Sequence, residues 1–446
     1  MITALSPLDG RYHSKVSELS PYFSEYGLIK HRLMVEISFL MMLSSEKGVE
    51  ELPAFSDKEL KLLEDILKNF DEKEAEKVKK IEATTNHDVK AVEYYLKEKL
   101  KKTSLEPHSE FIHFACTSED INNLSYALML KGAMENVMLP HLKEMVKKMN
   151  ALAKKWKTVP MLSLTHGQPA TPSTVGKEFL VIAKRLERQL ELFKTQEFLG
   201  KLNGATGNFN AHLIAYPTVN WMKFSEKFIK NLGLTPNFYT TQIESHDYQS
   251  ELYDVTTRFN SILIDANRDI WMYISRGLFK QKVVAGEVGS STMPHKVNPI
   301  DFENSEGNLG LANAIFRHLS LTLPHSRMQR DLTDSTVQRN IGVGFGYSLI
   351  AYKSTLKGLN KLELNKKFAQ EELNKNWALL AEPIQTVMRK HAIPNAYEKL
   401  KELTRGREIS KESVRVFVET LEIPEEDKKR LLELSPESYV GMAKEM

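Results

Sequence analysis

The segment from Glu178 to Gln196 places Phe179, Ile182, Leu186, Leu190 and Phe193 at steps of three and four, with Lys, Arg and Glu on the other faces. That spacing follows the period of an α-helix with one apolar stripe. The same rhythm runs from Glu251 to Phe279 through Leu252, Val255, Phe259, Ile262, Ala266, Ile270 and Tyr273. Similar segments extend from about Ile121 to Lys154, Phe302 to Leu323 and Gly344 to Leu359, whereas strand-type alternation is scarce. Helices this long need partners along their whole span, so the pattern predicts an all-α fold built on a long central bundle and extended by oligomerisation. Boundary signals are weak. Thr103 to Pro107 closes a predicted N-terminal helical domain (1–107), and Leu362 to Lys366 opens a C-terminal one (362–446), leaving the bundle as residues 108–361.

With 446 residues, 41% of them apolar and 27% charged, the chain has ample material for such a core and no sign of disorder. Its 61 basic residues are nearly balanced by 58 acidic ones, and Lys-rich runs such as Glu98 to Lys102 are interleaved with Glu. A solvated helix face explains that pattern, and a nucleic-acid partner is not expected. Cys116, the single cysteine, excludes an intrachain disulfide and Cys-rich metal sites and reads as a small buried residue. The N-terminus lacks the basic and apolar regions of a signal peptide, and the apolar run Ile37 to Leu43 is too short to span a bilayer. A cytoplasmic protein without membrane contact is expected.

Polar loops punctuate the helices. GSSTMPHKVNP (289–299) cannot be helical, because glycine, small hydroxyl residues and two prolines surround its lysine. His166, in THGQPATP, is either a surface histidine or a general acid or base; the flanking Gly167 and Pro169 fix an irregular backbone, and Thr171 with Pro172 suits the start of the next helix. In NHD (86–88), Asn86 or Asp88 reads as the cap of a helix through Leu96, whose free N–H groups also attract anions around His87. Thr117 and Ser118 read as a helix start that can equally hold a carboxylate or phosphate. The segment 327–339 is a salt-bridged turn or, through Arg330, Ser335 and Arg339, an anion site, since guanidinium groups fit phosphate and carboxylate bidentately. His108 and His113 lack the context of a metal site and read as structural, and Gly204 with Gly207 reads as a tight turn.

GSSTMPHKVNP resembles the signature loop of the fumarase/aspartase superfamily of lyases. Within it, SPLDGRY, TNHDVKAVE, TSEDINN, THGQPATP and RDLTDSTVQRN are similar to segments of the bacterial adenylosuccinate lyase family, over residues 6 to 340 and more loosely beyond. The resemblance implies a three-domain, all-α fold, a homotetramer with active sites shared among subunits, and no metal or cofactor. It implies small-molecule nucleotide substrates: β-elimination of fumarate from adenylosuccinate, giving AMP, and from SAICAR, giving AICAR, in purine nucleotide synthesis. By the same resemblance Ser290 is the general base, His166 the general acid, Lys296 the cation at the developing charge, and Glu303 the carboxylate that orients the acid histidine. Arg11 and Tyr12 match a phosphate-holding motif, and Asn86, His87 and Asp88 match a loop around phosphate and leaving group. Thr117, Ser118, Lys296 and Asn298 match groups binding the succinyl carboxylates. Gln242 and Asn304 match contacts near the reacting centre, and Arg330, Ser335 and Arg339 match contacts to the nucleotide. Whether Ser290 or Ser291 is the base rests on the family pattern alone. A sister lyase would share the signature loop without needing SPLDGRY or the Arg-rich segment, and a non-catalytic relative would be marked by loss of Ser290, His166 or Lys296.

Overall fold

The computed structural model describes residues 2–283, 293, 296–404 and 409–446, and divides into two compact units. The first comprises Met1–Leu142, Gln189–Ser261 and Gly307–Lys353, the second Lys143–Arg188, Ile262–Glu306 and Ser354–Met446. Both are helical. The predicted long helices span Val175–Lys194, Asp247–Arg276, Ile300–Thr322 and Ile341–Asn360. The expected 121–154 segment is a helix over Ser118–Ala133 and another over Leu139–Lys155, joined by a π-helical turn at Met134–Met138. The stripe predicted to continue to Phe279 stops at Arg276, because Gly277 (φ 94°) turns the chain into a short strand, Phe279–Gln281.

In the first unit the Glu25–Ser44 helix is buried on nearly every side, which accounts for its continuous apolar run. Ile29, Leu33, Val35, Phe39, Leu40 and Leu43 are all essentially inaccessible. The Ser24 hydroxyl caps it, accepting 3.1 Å from the Gly27 amide. Tyr253, Phe316 and Phe345 form the aromatic centre, the last two rings meeting edge-on at 4.9 Å. Buried Asn260 is satisfied by Asn313, Ser348 and the Tyr352 hydroxyl, so this core also holds a polar registration point.

The second unit packs Trp156, Phe179, Phe279 and Tyr273 together. It also buries an Asn267–Ser305–Thr355 triad. Its C-terminal helices enclose a cluster of their own around Leu380, Ile384, Met388, Val414, Val418 and Leu431. The longest β-structure is a hairpin of Pro160–Thr165 with Gln168–Thr174; among the described residues the other strand pairs are two or three residues long. No helix among the described residues is long and apolar enough to cross a membrane.

Candidate active site

Seven turn residues open the first unit's site. Ser6 accepts from the Leu8 amide through its hydroxyl and from the Asp9 and Gly10 amides through its carbonyl, and the Tyr12 amide donates to Pro7 at 2.8 Å. This folds SPLDGRY into a knot anchored by buried Leu8, and leaves Arg11 exposed with its guanidinium 5.9 Å from the Tyr12 ring centre. Ser6, Leu8 and Asp9 then line a cleft of about 240 Å³ together with Ser24 and Arg339.

Arg339 donates to Glu25 (3.0 Å) and to Asp88 (2.9 Å). Asp88 is the first residue of the Asp88–Leu100 helix, but neither it nor Asn86 supplies the cap that the sequence suggested. His87 does: its Nδ1 accepts 3.2 Å from the Lys90 amide, which places its proton on Nε2. Asn86 instead ends the preceding helix in the left-handed region (φ 52°), where Asn is tolerated. Asp88 is thereby freed to bind Arg32, 2.7 Å away and almost fully buried. Burial opposes ionisation of Asp88, yet Arg32, the Val89 amide and Arg339 together hold its carboxyl below the usual range.

Arg330 lies in a second knot of charge. It approaches Glu119 at 2.9 Å, Asp334 at 3.9 Å and the Gln242 side-chain carbonyl at 3.2 Å. Glu119 is buried, which pushes its carboxyl up against the opposing pull of Arg330 and Asn122. Gln242 also donates to the Ala205 carbonyl (3.0 Å), and Ser335 follows Asp334 in the short Thr333–Gln338 helix, its amide on the Asp334 carboxylate at 2.6 Å. The sequence expected an Arg-rich turn here; the structure puts Arg330 under cover, 17% exposed, where ion pairs are screened far less than on a surface.

Thr117 precedes the Ser118–Ala133 helix as expected, and its amide donates to Asp120 at 2.8 Å. Asp120 is inaccessible and pairs at 3.0 Å with Lys201, equally inaccessible, while accepting from the Asn203 and Gly204 amides. So complete a shell makes a buried pair tolerable, and losing one partner would strand a charge at a cost of about 3–5 kcal/mol. It fastens the 203–207 turn beside Thr117. That turn closes with the Gly207 amide on the Gly204 carbonyl, both glycines at φ above 80°. His113, read as structural, pairs with Glu36 at 2.6 Å; Cys116 is half-buried, not fully buried as expected.

In the second unit His166 occupies the tip of the hairpin. Thr165 and Gln168 are paired, so His166 (φ 54°) and Gly167 (φ 74°) form a two-residue loop with both φ positive, the pattern of a type I′ turn. The expected helix start at Thr171 and Pro172 is therefore replaced by a strand, and the next helix begins at Val175 after Thr174, whose hydroxyl accepts from the Lys177 amide. Strand pairing overrode the cap-like pattern because Thr and edge-strand Pro suit both. His166 and Lys296 are exposed, and Asn298 is half-buried just before the Ile300–Thr322 helix. Glu303 and Asn304 lie in that helix's first turns, and the Glu303 carboxylate accepts 2.9 Å from the Trp271 indole. Ser290 and Ser291 lie outside the described residues.

Residues 10–314 match the model of a family described as Lyase, and residues 326–440 match one described as Adenylosuccinate lyase C-terminal. The adenylosuccinate lyase of Haemophilus influenzae is 58% identical over 446 residues, covering 100% of this chain and 98% of that one. That of Escherichia coli K12 is 57% identical over 443 residues, covering 99% and 97%. The chain belongs to the adenylosuccinate lyase family. Its fold is that of the fumarase/aspartase superfamily, as two solved structures also indicate. A 3-carboxy-cis,cis-muconate lactonizing enzyme from Pseudomonas putida superposes with a TM-score of 0.76 at 18% identity, covering 96% of this chain and 94% of that one. A fumarate lyase from Mesorhizobium sp. BNC1 does so with 0.77 at 15%, covering 96% of each. At such identities these two speak for the fold alone.

Sequence reasoning missed several members of the first unit's network. Arg32, Asn122 and Glu119 sit on helical faces that read as ordinary core or cap. His246, buried at φ 62°, holds its Nε2 3.5 Å from Asp334 and gave no local signal beyond a polar loop.

Proposed function

We propose that this lyase eliminates fumarate from adenylosuccinate, giving AMP, and from SAICAR, giving AICAR, working as a homotetramer in the cytoplasm without metal or cofactor. The observation that carries the reading is the cleft walled by the SPLDGRY turn and Arg339, with a second arginine, Arg330, held by buried carboxylates in the same unit. An anionic nucleotide is the ligand such an arrangement suits, because guanidinium groups bind phosphate bidentately. Arg11, Tyr12, Asn86, His87, Asp88, Ser335 and Arg339 would line the nucleotide end. Gln242 and Asn304 would approach the reacting centre.

Elimination removes a proton from the carbon beside a carboxylate, forms the carbon–carbon double bond and breaks the carbon–nitrogen bond. Ser290 would take the carbon-bound proton and His166 would protonate the departing nitrogen. Lys296 would neutralise the charge that collects on the carboxylate between those events, with Thr117, Ser118 and Asn298 donating to the succinyl carboxylates. Glu303 would orient His166. Within one chain that carboxylate accepts from Trp271, and in the proposed tetramer it would meet the histidine of another copy. Exposed apolar side chains on the long helices support assembly: Val181 and Leu192, Trp271 and Met272, Leu311 and Leu321. The three-domain division 1–107, 108–361 and 362–446 has support at its C-terminal end from the separate core of residues 380–431.

Purified protein is expected to convert adenylosuccinate to AMP and fumarate without added metal, followed by ultraviolet absorbance, and to sediment as a tetramer. Turnover of argininosuccinate or malate in its place would overturn the assignment. Ser290→Ala should bind AMP as wild type does and stop proton removal; full activity in that variant would move the base elsewhere.

A further inference from the structure

Two arginines flank the Thr333–Gln338 helix, Arg330 before it and Arg339 after it, and each holds one carboxylate oxygen that a buried polar chain also holds. Arg339 shares Asp88 Oδ2 with Arg32, at 2.9 and 2.7 Å. Arg330 shares Glu119 Oε1 with Asn122, at 2.9 and 2.8 Å. The chain closes between them, where Arg32 Nε donates to Asn122 Oδ1 at 2.8 Å. Arg339, Asp88, Arg32, Asn122 and Glu119 are thus joined by successive hydrogen bonds, and the Glu119–Arg330 ion pair completes the run, with Asn122 as its neutral joint.

The residue type at that joint is dictated by its neighbours. Arg32 can only donate, and Glu119 Oε1 here accepts from the joint, so the joint must offer an acceptor on one side and a donor on the other. A carboxamide does both, and its orientation is settled by these partners. Aspartate would face Glu119 with a second carboxyl that has no amide hydrogen to give; leucine would fill the space and leave two buried polar groups short of a partner. Burial of Arg32, Asn122 and Glu119 keeps the run out of competition with water.

We propose that Asn122 is a positioning residue for the nucleotide end of the site: through Arg32 and Glu119 it sets where Arg339 and Arg330 stand relative to each other. The inference rests on the nucleotide reading of those arginines. It touches neither the proton-transfer groups nor the groups assigned to the succinyl carboxylates, so its signature is a loss of nucleotide affinity with the chemical step preserved.

The test compares wild type, Asn122→Ala, Glu119→Gln and the double variant, with AMP and fumarate titrated separately and adenylosuccinate turnover measured. Asn122→Ala is expected to weaken AMP and raise KM about tenfold, with kcat within about twofold and fumarate affinity unchanged. Glu119→Gln, which keeps shape and one acceptor, should lose about threefold for AMP. The double variant should be no weaker than Asn122→Ala, because both act on one connection. AMP affinity within twofold of wild type in both single variants overturns the proposal. So does equal loss of AMP and fumarate affinity, the mark of general structural damage. If Asn122→Ala does not fold, Glu119→Gln decides alone: a loss confined to AMP upholds the relay and unchanged AMP binding overturns it. A wild type that binds AMP yet leaves adenylosuccinate uncleaved sinks the reaction reading, and the AMP titrations still judge the relay.

Discussion

The region around Arg330 and Arg339 and the hairpin that carries His166 differ in how completely one chain satisfies them. In the first, Arg32, Glu119, Asp120 and Lys201 are buried against charged or amide partners, and Arg330 and Arg339 rest on carboxylates, with only single nitrogens such as Arg32 Nη1 and Arg330 Nε left without a hydrogen-bond partner among the described residues. In the second, His166 stands exposed in a left-handed conformation, an added Cβ on Gly167 would meet nothing within 4 Å, and Lys296 is exposed as well. Folding of one chain organises the region proposed for the nucleotide, whereas the region proposed for proton transfer keeps groups open to substrate and to other copies. The contrast follows from the chemistry. Buried charges must be paired when the chain folds, whereas a proton donor must stay open to the atom it serves.

The largest expected effect comes from His166→Asn. Asparagine suits a type I′ loop better than histidine does, so thermal stability should hold or rise while turnover falls by about 10²-fold or more. A variant that melts earlier and stays active would reverse the comparison, showing His166 to be a structural residue. Next comes Gly207→Ala in the organised region. At φ 81° a Cβ would lie 2.4 Å from the Thr240 carbonyl oxygen, so the variant should lose at least about 2 kcal/mol in denaturant titrations. Because Gln242 is bonded to Ala205 in the same turn, AMP affinity should fall with it. Stability equal to wild type would mean that the turn is not fastened as described.

The smallest effect is a pH dependence. Lys77, Lys99 and the Tyr95 hydroxyl lower the Glu74 carboxyl to about 2. A carboxyl depressed on folding contributes stability above its unfolded pKa of about 4.3, and that contribution is lost as pH falls from there toward 2. Glu74→Gln should therefore be less stable than wild type at pH 6 by about 1 kcal/mol or less, with the gap closing between pH 4 and 2. A gap that widens on acidification would refute the pairing.

Much of the molecule was legible beforehand, and the reasons are local. The stripes at Leu252, Val255 and Phe259 or at Phe179, Leu186 and Leu190 marked helices because a 3.6-residue period is a property of neighbouring residues. Thr117 was legible as a helix start, and Gly204 with Gly207 as a turn, for the same reason. The NHD cap was misassigned by one residue because Asn, His and Asp can all accept at a helix start. Only Arg32 and Arg339 decide that Asp88 is engaged elsewhere.

By itself the sequence determined which segments are helical, which loops carry ionisable groups, and which family the chain belongs to. The tertiary structure alone decided which ionisable groups meet. It brought Lys201 to Asp120, Arg330 to Glu119 and His246 to Asp334, and it turned the THGQPATP loop into a hairpin. Helical periodicity is written in residues three and four apart, but a buried ion pair depends on how distant segments pack. Its sign and geometry are enforced only when water is excluded and each charge must find a partner.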